Sequence, residues 1–145
     1  MIKVSKVERG ILIKAPVEKV FSYVTDPKNE LEWLPSITDV RDITGLGVGM
    51  RWGWTYKMLG LSLKGKTEVI EFASNERYVY KSSGGINSTW TYAFKPEAGG
   101  TRLNLAVEYT IPIPVLGKIA ERLVLAQNER EADLAVANIK ARVES

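Results

Sequence analysis

Between Ile37 and Ile111 the sequence is a series of short strand patterns, with no stretch long enough to form a crossover helix. The clearest alternation runs from Met50 to Met58, where a large apolar or aromatic side chain occupies every second position. Turn residues separate the later patterns, as at Ser74-Asn75, Gly84-Gly85 and Gly99-Gly100. Because parallel neighbours need a connection of about a dozen residues or more, these strands are predicted to pair antiparallel.

The C-terminal segment predicts one long helix from Val115 to Val143, with no proline and no glycine beyond Gly117. At about 1.5 Å per residue this helix would be about 43 Å long. A ten-residue strand reaches only about 33 Å. The helix is therefore long enough to lie across a whole sheet.

The N-terminal segment predicts a strand that ends at Ile13 and is followed by two short helices. Pro16 suits the first turn of a helix, and apolar residues recur at helical spacing from Val17 to Val24. Asp26-Pro27 interrupts that helix, and a second one is predicted from Lys28 to Trp33.

Together these elements predict an α+β fold that occupies residues 1–145 as a single domain. We expect a curved antiparallel sheet of about seven strands wrapped on the long C-terminal helix, with the two short helices after strand 1. The hydrophobic fraction of 45% is typical of a globular chain and is enough for a core.

Histidine and cysteine are absent from the sequence. Disulfides, thiolate nucleophiles, imidazole or thiolate zinc sites and Ser-His-Asp catalysis are therefore excluded, and we expect no metal and no cofactor. The net charge of +3 is mild and the 20 Lys and Arg residues are scattered, so we expect no nucleic-acid partner. The N-terminus lacks the apolar block of a signal peptide, and no apolar run approaches a membrane span. We expect a cytoplasmic protein with no integral membrane association.

Two apolar stripes run along nearly opposite sides of the predicted C-terminal helix. A helix that packs only on a sheet should show one stripe. Either the helix bends or rotates so that its halves present different faces inward, or one stripe meets another surface, such as a second copy in a homodimer. The first stripe is Leu116, Ile119, Leu123, Leu134, Ala137 and Ala141, and the second is Leu125, Ala132, Val136, Ile139 and Val143.

The feature with the most functional weight is a set of aromatic residues that share the face of the Met50–Met58 alternation. Ordinary core packing explains any single member as well as a binding role does. As a group they differ from an ordinary apolar core, because the Tyr hydroxyl and the Trp indole N–H need hydrogen-bond partners when they are buried. A mostly apolar cavity with a few convergent polar groups is the usual form of a small-molecule site. The candidate ligand-binding residues are Trp33, Met50, Trp52, Trp54, Tyr56, Met58, Tyr78, Tyr80, Trp90, Tyr92, Leu105, Tyr109, Leu116 and Ile119.

Two other features are candidate functional elements. The Gly45-Leu46-Gly47-Val48-Gly49 segment precedes a strand and lacks a following Lys-Ser/Thr, so a turn at the cavity rim is favoured over a phosphate-binding loop. Arg9 and Arg130 are candidate anchors for an anionic ligand group, although a surface ion pair is the favoured role for both.

If the protein is a catalyst, its acid or base must be Asp, Glu, Lys, Tyr or a bound water, since no histidine is present, and a carboxylate or tyrosine with a shifted pKa is favoured. Glu68 and Glu71 are the acids nearest the predicted inner face, and Glu68 is the nearest candidate base. The candidate donors are Tyr56, Tyr80, Tyr92 and Tyr109.

Several segments resemble the polyketide cyclase/dehydrase and lipid-transfer superfamily, which is START-related and is also called SRPBCC. The run from Ile13 to Phe21 looks like its strand-to-helix junction, and Asp26 followed by Glu32-Trp33-Leu34-Pro35 resembles its second-helix signature. The stretch from Trp90 to Leu103 resembles its final hairpin, and Asn138 to Glu144 its helix end. The resemblance covers nearly the whole chain and implies the helix-grip fold.

That superfamily includes lipid carriers, hormone receptors, cyclases, ring-hydroxylase subunits and chaperone co-activators, so the resemblance does not select one activity. The histidine and cysteine ligands of ring-hydroxylase subunits are missing here, which excludes that branch. Three hypotheses follow: binding or transport of a lipid, aromatic or polyketide-like ligand; a cyclase or dehydratase acting on such a ligand; and a protein-interaction module. The absence of histidine, cysteine and paired acids favours the first, with an apolar small molecule as the partner.

Overall fold

The computed structural model describes residues 2–58, 60–84 and 87–145, and it describes side chains outside residues 2–4 and 111–121. A single-turn 3₁₀ helix at Pro27–Asn29 lies between the first two α-helices. The elements in chain order are β1 (Ile2–Ile13), α1 (Val17–Val24), α2 (Glu30–Trp33), β2 (Ile37–Thr44), β3 (Arg51–Met58), β4 (Leu61–Ala73), β5 (Arg77–Ser83), β6 (Asn87–Glu97), β7 (Gly100–Pro112) and α3 (Ile113–Glu144).

The seven strands form one antiparallel sheet in the order β1-β7-β6-β5-β4-β3-β2. Consecutive strands from β2 to β7 are neighbours, as short turns require, and β1 completes the sheet beside β7. Register shifts interrupt the pairing of β2 with β3 and of β4 with β5. Such bulges bend a strand and increase its twist. The predicted fold class, a helix-grip α+β fold, is confirmed.

The two short helices form where the N-terminal sequence predicts them. Pro16 precedes α1 and Val20, Phe21 and Val24 bury its apolar face. The second predicted helix begins one residue earlier than expected, because Pro27 starts a 3₁₀ turn that the Asp26 side chain caps by accepting a hydrogen bond from Lys28 N. The chain becomes α-helical at Glu30.

The structure decides between the two apolar stripes of the C-terminal helix. In the part of α3 whose side chains are described, Ala132, Val136, Ile139 and Val143 of the second stripe are buried. Leu123 of the first stripe is 51% exposed. The second stripe therefore faces the core, where α3 packs against β1, β7 and α2. The side chains of Leu116 and Ile119 lie outside the described part.

The inner face of the sheet forms the core together with α1, α2 and this face of α3. Trp33 of α2 is fully buried and meets the Tyr92 ring edge-on at 6.2 Å, so α2 is packed onto the centre of the sheet. Within the described ranges no helix combines the length and apolarity that crossing a bilayer would require.

Candidate functional site

Strand register places four hydroxyl groups in one row across the inner face of the sheet. Thr67 of β4 pairs with Ser82 of β5, Ser82 with Ser88 of β6, and Ser88 with Tyr109 of β7. Residues directly opposite each other on neighbouring strands present their side chains to the same face. The row therefore crosses an otherwise apolar and aromatic surface, and all four residues line one cavity.

This cavity lies on the inner face of the sheet, with α2 and α3 contributing to its wall, and has a volume of about 70 Å³. A small-molecule site typically measures about 300–1,000 Å³, so the cavity in this conformation is compact. Its polar lining residues outside the hydroxyl row are Glu30, Tyr56, Tyr80 and Asn128, and its apolar lining residues are Leu34, Ile37, Trp54, Met58, Leu63, Trp90 and Val107.

Most of the hydroxyl row is hydrogen-bonded to its neighbours. The Trp54 indole N–H donates to Thr67 Oγ1 at 2.9 Å, and Thr67 and Ser82 share a hydrogen bond of 2.6 Å. The Trp90 indole N–H donates to Ser88 Oγ at 3.1 Å. The Trp54 ring lies directly over Gly65, where an added Cβ would meet its Cζ2 at 2.2 Å. Glycine at this position allows the indole to reach the row.

A buried carboxyl group forms the α2 end of the cavity wall. Glu30 is only 5% exposed, and burial raises the pKa of its carboxyl to about 7. The Tyr80 hydroxyl donates to Glu30 Oε1 at 3.2 Å, and the Trp52 indole N–H lies nearby without a bond of ordinary geometry. Both groups favour the ionised carboxyl, but they do not offset the cost of removing its charge from water.

The Glu30 carboxyl is the end of a hydrogen-bonded chain. The Tyr80 and Tyr92 hydroxyls are 2.6 Å apart, and since Tyr80 donates to Glu30, Tyr92 donates to Tyr80. Burial raises the pKa of both tyrosines well above the ordinary value, and the Glu30 charge raises them further. Both phenols are therefore neutral donors, and Glu30 is the member of the chain that titrates near neutrality.

A second buried acid lies where α3 meets the start of β2. Glu131 is 4% exposed, and burial raises the pKa of its carboxyl. The Ser36 hydroxyl donates to Glu131 Oε1, and Gln127 Nε2 donates to both groups at 3.2 and 3.3 Å. Burial and the Glu131 charge together raise the pKa of Tyr56, which lines the cavity close by. This cluster holds α3 against the chain segment that follows α2.

Six of the predicted binding residues are brought together around the cavity: Trp54, Tyr56, Met58, Tyr80, Trp90 and Tyr109. The alternation also placed a further group on the inner face, but these side chains pack into the surrounding core and do not line the cavity. They are Trp33, Met50, Trp52, Tyr78, Tyr92 and Leu105. They belong to the core that the sheet forms with the helices, as where Trp33 of α2 meets the Tyr92 ring edge-on. Leu116 and Ile119 are the two remaining predictions, and their side chains are outside the described part.

The secondary predictions have mixed outcomes. The role of Glu68 as candidate base is wrong, because Thr67 and Val69 face inward and Glu68 points outward, 47% exposed, in an ion pair with Arg51. Glu71 likewise pairs with Arg77 on the outside. The favoured ion-pair role of Arg9 is confirmed by its contact with Asp133 at 2.5 Å.

The glycine-rich segment between β2 and β3 is a turn, as expected, but it does not line the cavity. Its three glycines adopt positive φ angles of 82°, 67° and 91°, which only glycine adopts readily. A larger open groove of about 1,240 Å³ is lined mainly by outward-facing residues, and it shares Thr67, Ser82, Ser88 and Tyr109 with the cavity. Exposed Lys64, Lys66 and Lys81 line that groove, whereas no lysine or arginine is among the described residues that line the cavity.

Sequence reasoning missed Glu30, Asn128 and the hydroxyls of Thr67, Ser82 and Ser88. A signal existed for two of them. Glu30 stands three residues before Trp33 and shares its helix face, and Asn128 falls three and four residues from Leu125 and Ala132 in the buried stripe. The hydroxyl row had no comparable signal, because its members come together only through the register of four strands.

Several solved structures have the same architecture. A protein from Thermus thermophilus, TTHA0849, is 23% identical and superposes with a TM-score of 0.84 over 96% of this chain and 97% of that one. The Zhui aromatase/cyclase from Streptomyces sp. R1128 is 14% identical, with a TM-score of 0.78 over 98% and 94%. CV1439 from Chromobacterium violaceum is 19% identical, with a TM-score of 0.73 over 97% and 98%. At these identities the likeness establishes the shared helix-grip fold.

The family assignment rests on the sequence. Residues 4–144 match the family described as polyketide cyclase/dehydrase and lipid transport. The chain belongs to this family, and the resemblance noted from its motifs is confirmed. No curated protein matches the chain significantly.

Proposed function

We propose that this protein binds and carries a hydrophobic small molecule in the cavity between the sheet and α3. The observation that carries the proposal is the cavity lining, in which aromatic and aliphatic side chains surround a small set of convergent polar groups. This composition is the usual one for a small-molecule site. The family described by cyclisation, dehydration and lipid transport supports a hydrophobic ligand.

Ligand entry requires the cavity to expand, because about 70 Å³ is far below the volume of a lipid or a polyketide. The side chains best suited to move are those of Met58 and Leu63 near the end of β3 and the start of β4, and the half-buried Trp90. Methionine is unbranched and adapts to irregular shapes at little cost. Binding is therefore expected to change the fluorescence of Trp54 and Trp90, which line the cavity.

The test is a titration with N-phenyl-1-naphthylamine, an apolar probe whose emission rises in an apolar site. We expect one probe per chain and a change in Trp emission. Val107, 5% exposed on the cavity wall, offers a blocking variant: Val107→Phe should fill the cavity and weaken binding at least tenfold. Val48→Phe is the matched control, because Val48 is 65% exposed on the β2–β3 turn.

Circular dichroism of both variants checks that they remain folded, since overpacking a core costs about 1–3 kcal/mol. Leu63→Ala, which enlarges the cavity, is a second test and should tighten binding. The absence of probe binding at high micromolar concentration would contradict the proposal. Equal affinity of wild type and Val107→Phe would show that the probe binds elsewhere.

A second candidate function is a cyclase or dehydratase, and Glu30 is the observation that favours it. A carboxyl with a pKa of about 7 on the cavity wall, hydrogen-bonded to Tyr80, is suited to exchange protons with a bound ligand near neutral pH. In an enzyme, Glu30→Gln or Tyr80→Phe would abolish turnover of a polyketide or acyl chain while affinity stays within about tenfold. In a carrier, the same changes would alter affinity alone.

A further inference from the structure

Two buried polar groups on the cavity wall have no hydrogen-bond partner within the described part of the chain. They are the Tyr109 hydroxyl of β7 and the Asn128 side-chain amide nitrogen of α3. Tyr109 is 2% exposed, so water outside the protein does not reach it. Both residues line the cavity, one from the sheet and one from the helix that covers it.

The two groups lie close to each other. Burial raises the pKa of Tyr109, and the Asn128 amide opposes that rise from nearby without forming a hydrogen bond of ordinary geometry. Because both donors line the same small cavity, one acceptor atom inside it can receive a hydrogen bond from each.

Within the hydroxyl row, three of the four members are hydrogen-bonded inside the protein. Thr67, Ser82 and Ser88 each have a partner, while Tyr109, the last member of the same row, has none among the described residues. Buried polar groups without partners are rare in folded proteins, because the loss of hydration is not compensated. A ligand group that accepts hydrogen bonds would compensate it.

The charges around the cavity decide which acceptor fits. No Lys or Arg side chain is among the described residues that line it, and its acid is Glu30. Glu131 lies close enough to raise the pKa of the cavity residue Tyr56, and Glu129 acts on Tyr109 in the same way. No described lining residue offers a cation to balance an anionic ligand group beside these carboxylates, and Arg130, whose charge acts on Glu131, does not line the cavity. A neutral oxygen avoids that repulsion.

We propose that the ligand of this cavity carries a neutral carbonyl oxygen, which the Tyr109 hydroxyl and the Asn128 amide bind together. A carbonyl oxygen has two lone pairs and accepts one hydrogen bond from each donor. The hydrophobic remainder of the ligand contacts the aromatic lining. The inference rests on the proposed binding function and narrows its ligand to ketones, esters or amides, as opposed to free fatty acids or hydrocarbons.

The test compares two probes of nearly equal shape, acetophenone and ethylbenzene, by displacement of N-phenyl-1-naphthylamine. A ketone is better hydrated than a hydrocarbon, so the decisive comparison is between protein variants and not between probes. We expect Tyr109→Phe and Asn128→Leu each to weaken acetophenone binding by about threefold to tenfold, the effect of one hydrogen bond. Ethylbenzene affinity should stay within twofold. Tyr23→Phe is the matched control, since the Tyr23 hydroxyl bonds Glu32 and does not line the cavity.

A stability measurement separates this role from a structural one. Because Tyr109→Phe removes an unpartnered buried hydroxyl, the ligand-free variant should unfold at a urea concentration equal to or above that of wild type. A lower midpoint would show that the hydroxyl has a partner in the protein and would overturn the inference. Equal acetophenone binding by wild type and both variants would also overturn it, while leaving the proposed binding function intact. Failure of wild type to bind either probe would overturn both.

Discussion

Replacing Glu30 with glutamine is expected to stabilise the protein above pH 7 and to have little effect near pH 4. The carboxyl is 5% exposed, and burial raises its pKa to about 7 from the ordinary 4.5. The folded protein therefore holds this proton more tightly than the unfolded chain does. The stability due to this group is complete below pH 4.5 and is lost as the pH rises to 7.

The size of the effect follows from the two pKa values. A difference of one between the pKa in the folded protein and that in the unfolded chain corresponds to about 1.4 kcal/mol. Ionisation of Glu30 therefore destabilises the folded protein by about 3 kcal/mol. Glutamine has nearly the same shape, carries no charge, and keeps an oxygen to accept the hydrogen bond from Tyr80. The variant should then be about 2–3 kcal/mol more stable than wild type at pH 8. The gain is smaller than the full ionisation cost because the amide forms less favourable hydrogen bonds in this site than the carboxyl does.

The assay is urea denaturation followed by Trp fluorescence at several pH values from 4 to 8. Glu76→Gln is the matched control, because Glu76 is exposed in the β4–β5 turn. Its stability should follow that of wild type at every pH. A constant difference between wild type and Glu30→Gln across this range, or a less stable Glu30→Gln at pH 8, would refute a neutral acid on the cavity wall.

Three further predictions concern packing and hydrogen bonding, and urea denaturation measures all of them. Tyr80→Phe should lower the free energy of unfolding by about 1–3 kcal/mol, because the Tyr80 hydroxyl links the Glu30 carboxyl to the Tyr92 hydroxyl. An unchanged free energy of unfolding would mean that this hydrogen-bonded chain does not form. Ile139→Ala, at a fully buried site, should lower the free energy of unfolding by about 2–5 kcal/mol. Leu123→Ala, at a site that is 51% exposed, should change it by no more than about 0.5 kcal/mol. Similar losses in the two variants would contradict the burial of the second stripe of α3. Gly65→Ala should lower the free energy of unfolding by at least about 1–3 kcal/mol, because its Cβ would lie 2.2 Å from the Trp54 ring. A variant as stable as wild type would show that the Trp54 indole is free to move.

The homodimer stays a prediction, and the outward stripe of α3 is where it applies. Leu123, Ala137 and Ala141 are exposed on that side of the helix. Light scattering of the wild-type protein tests it. A monomer at all concentrations would remove the homodimer, and a dimer that Leu123→Glu dissociates would support it.

The fold was predictable because its signals are local. Alternation from Met50 to Met58 and the turns after it depend only on neighbouring residues, and so does the length of α3. The inward face of α3 was not predictable, because its two stripes are similarly apolar. That choice depends on what β1, β7 and α2 present to the helix, which is a tertiary property.

The site was predictable only in part, for the same reason. Because alternate residues of a strand point to the same face, the sequence predicted Trp54, Trp90 and Tyr109 on the inner face. It did not predict that Glu30, an acid in a four-residue helix, would be buried against a tyrosine 50 residues away. It also assigned Glu68 the role of the nearest base, although its immediate neighbours on β4 face inward and it does not. Whether a polar group is buried can be predicted only when its hydrogen-bond partners are known, and those partners come together only in the folded chain.

Native mass spectrometry of the protein purified from its own host tests the central claim most directly. If the protein carries a hydrophobic small molecule, the spectrum should show a discrete added mass that organic solvent extracts. That mass should be reduced or absent in Val107→Phe, which fills the cavity, and retained in Val48→Phe. Bare protein in every preparation, with no component of a host lipid extract restoring an added mass, would contradict a carrier role.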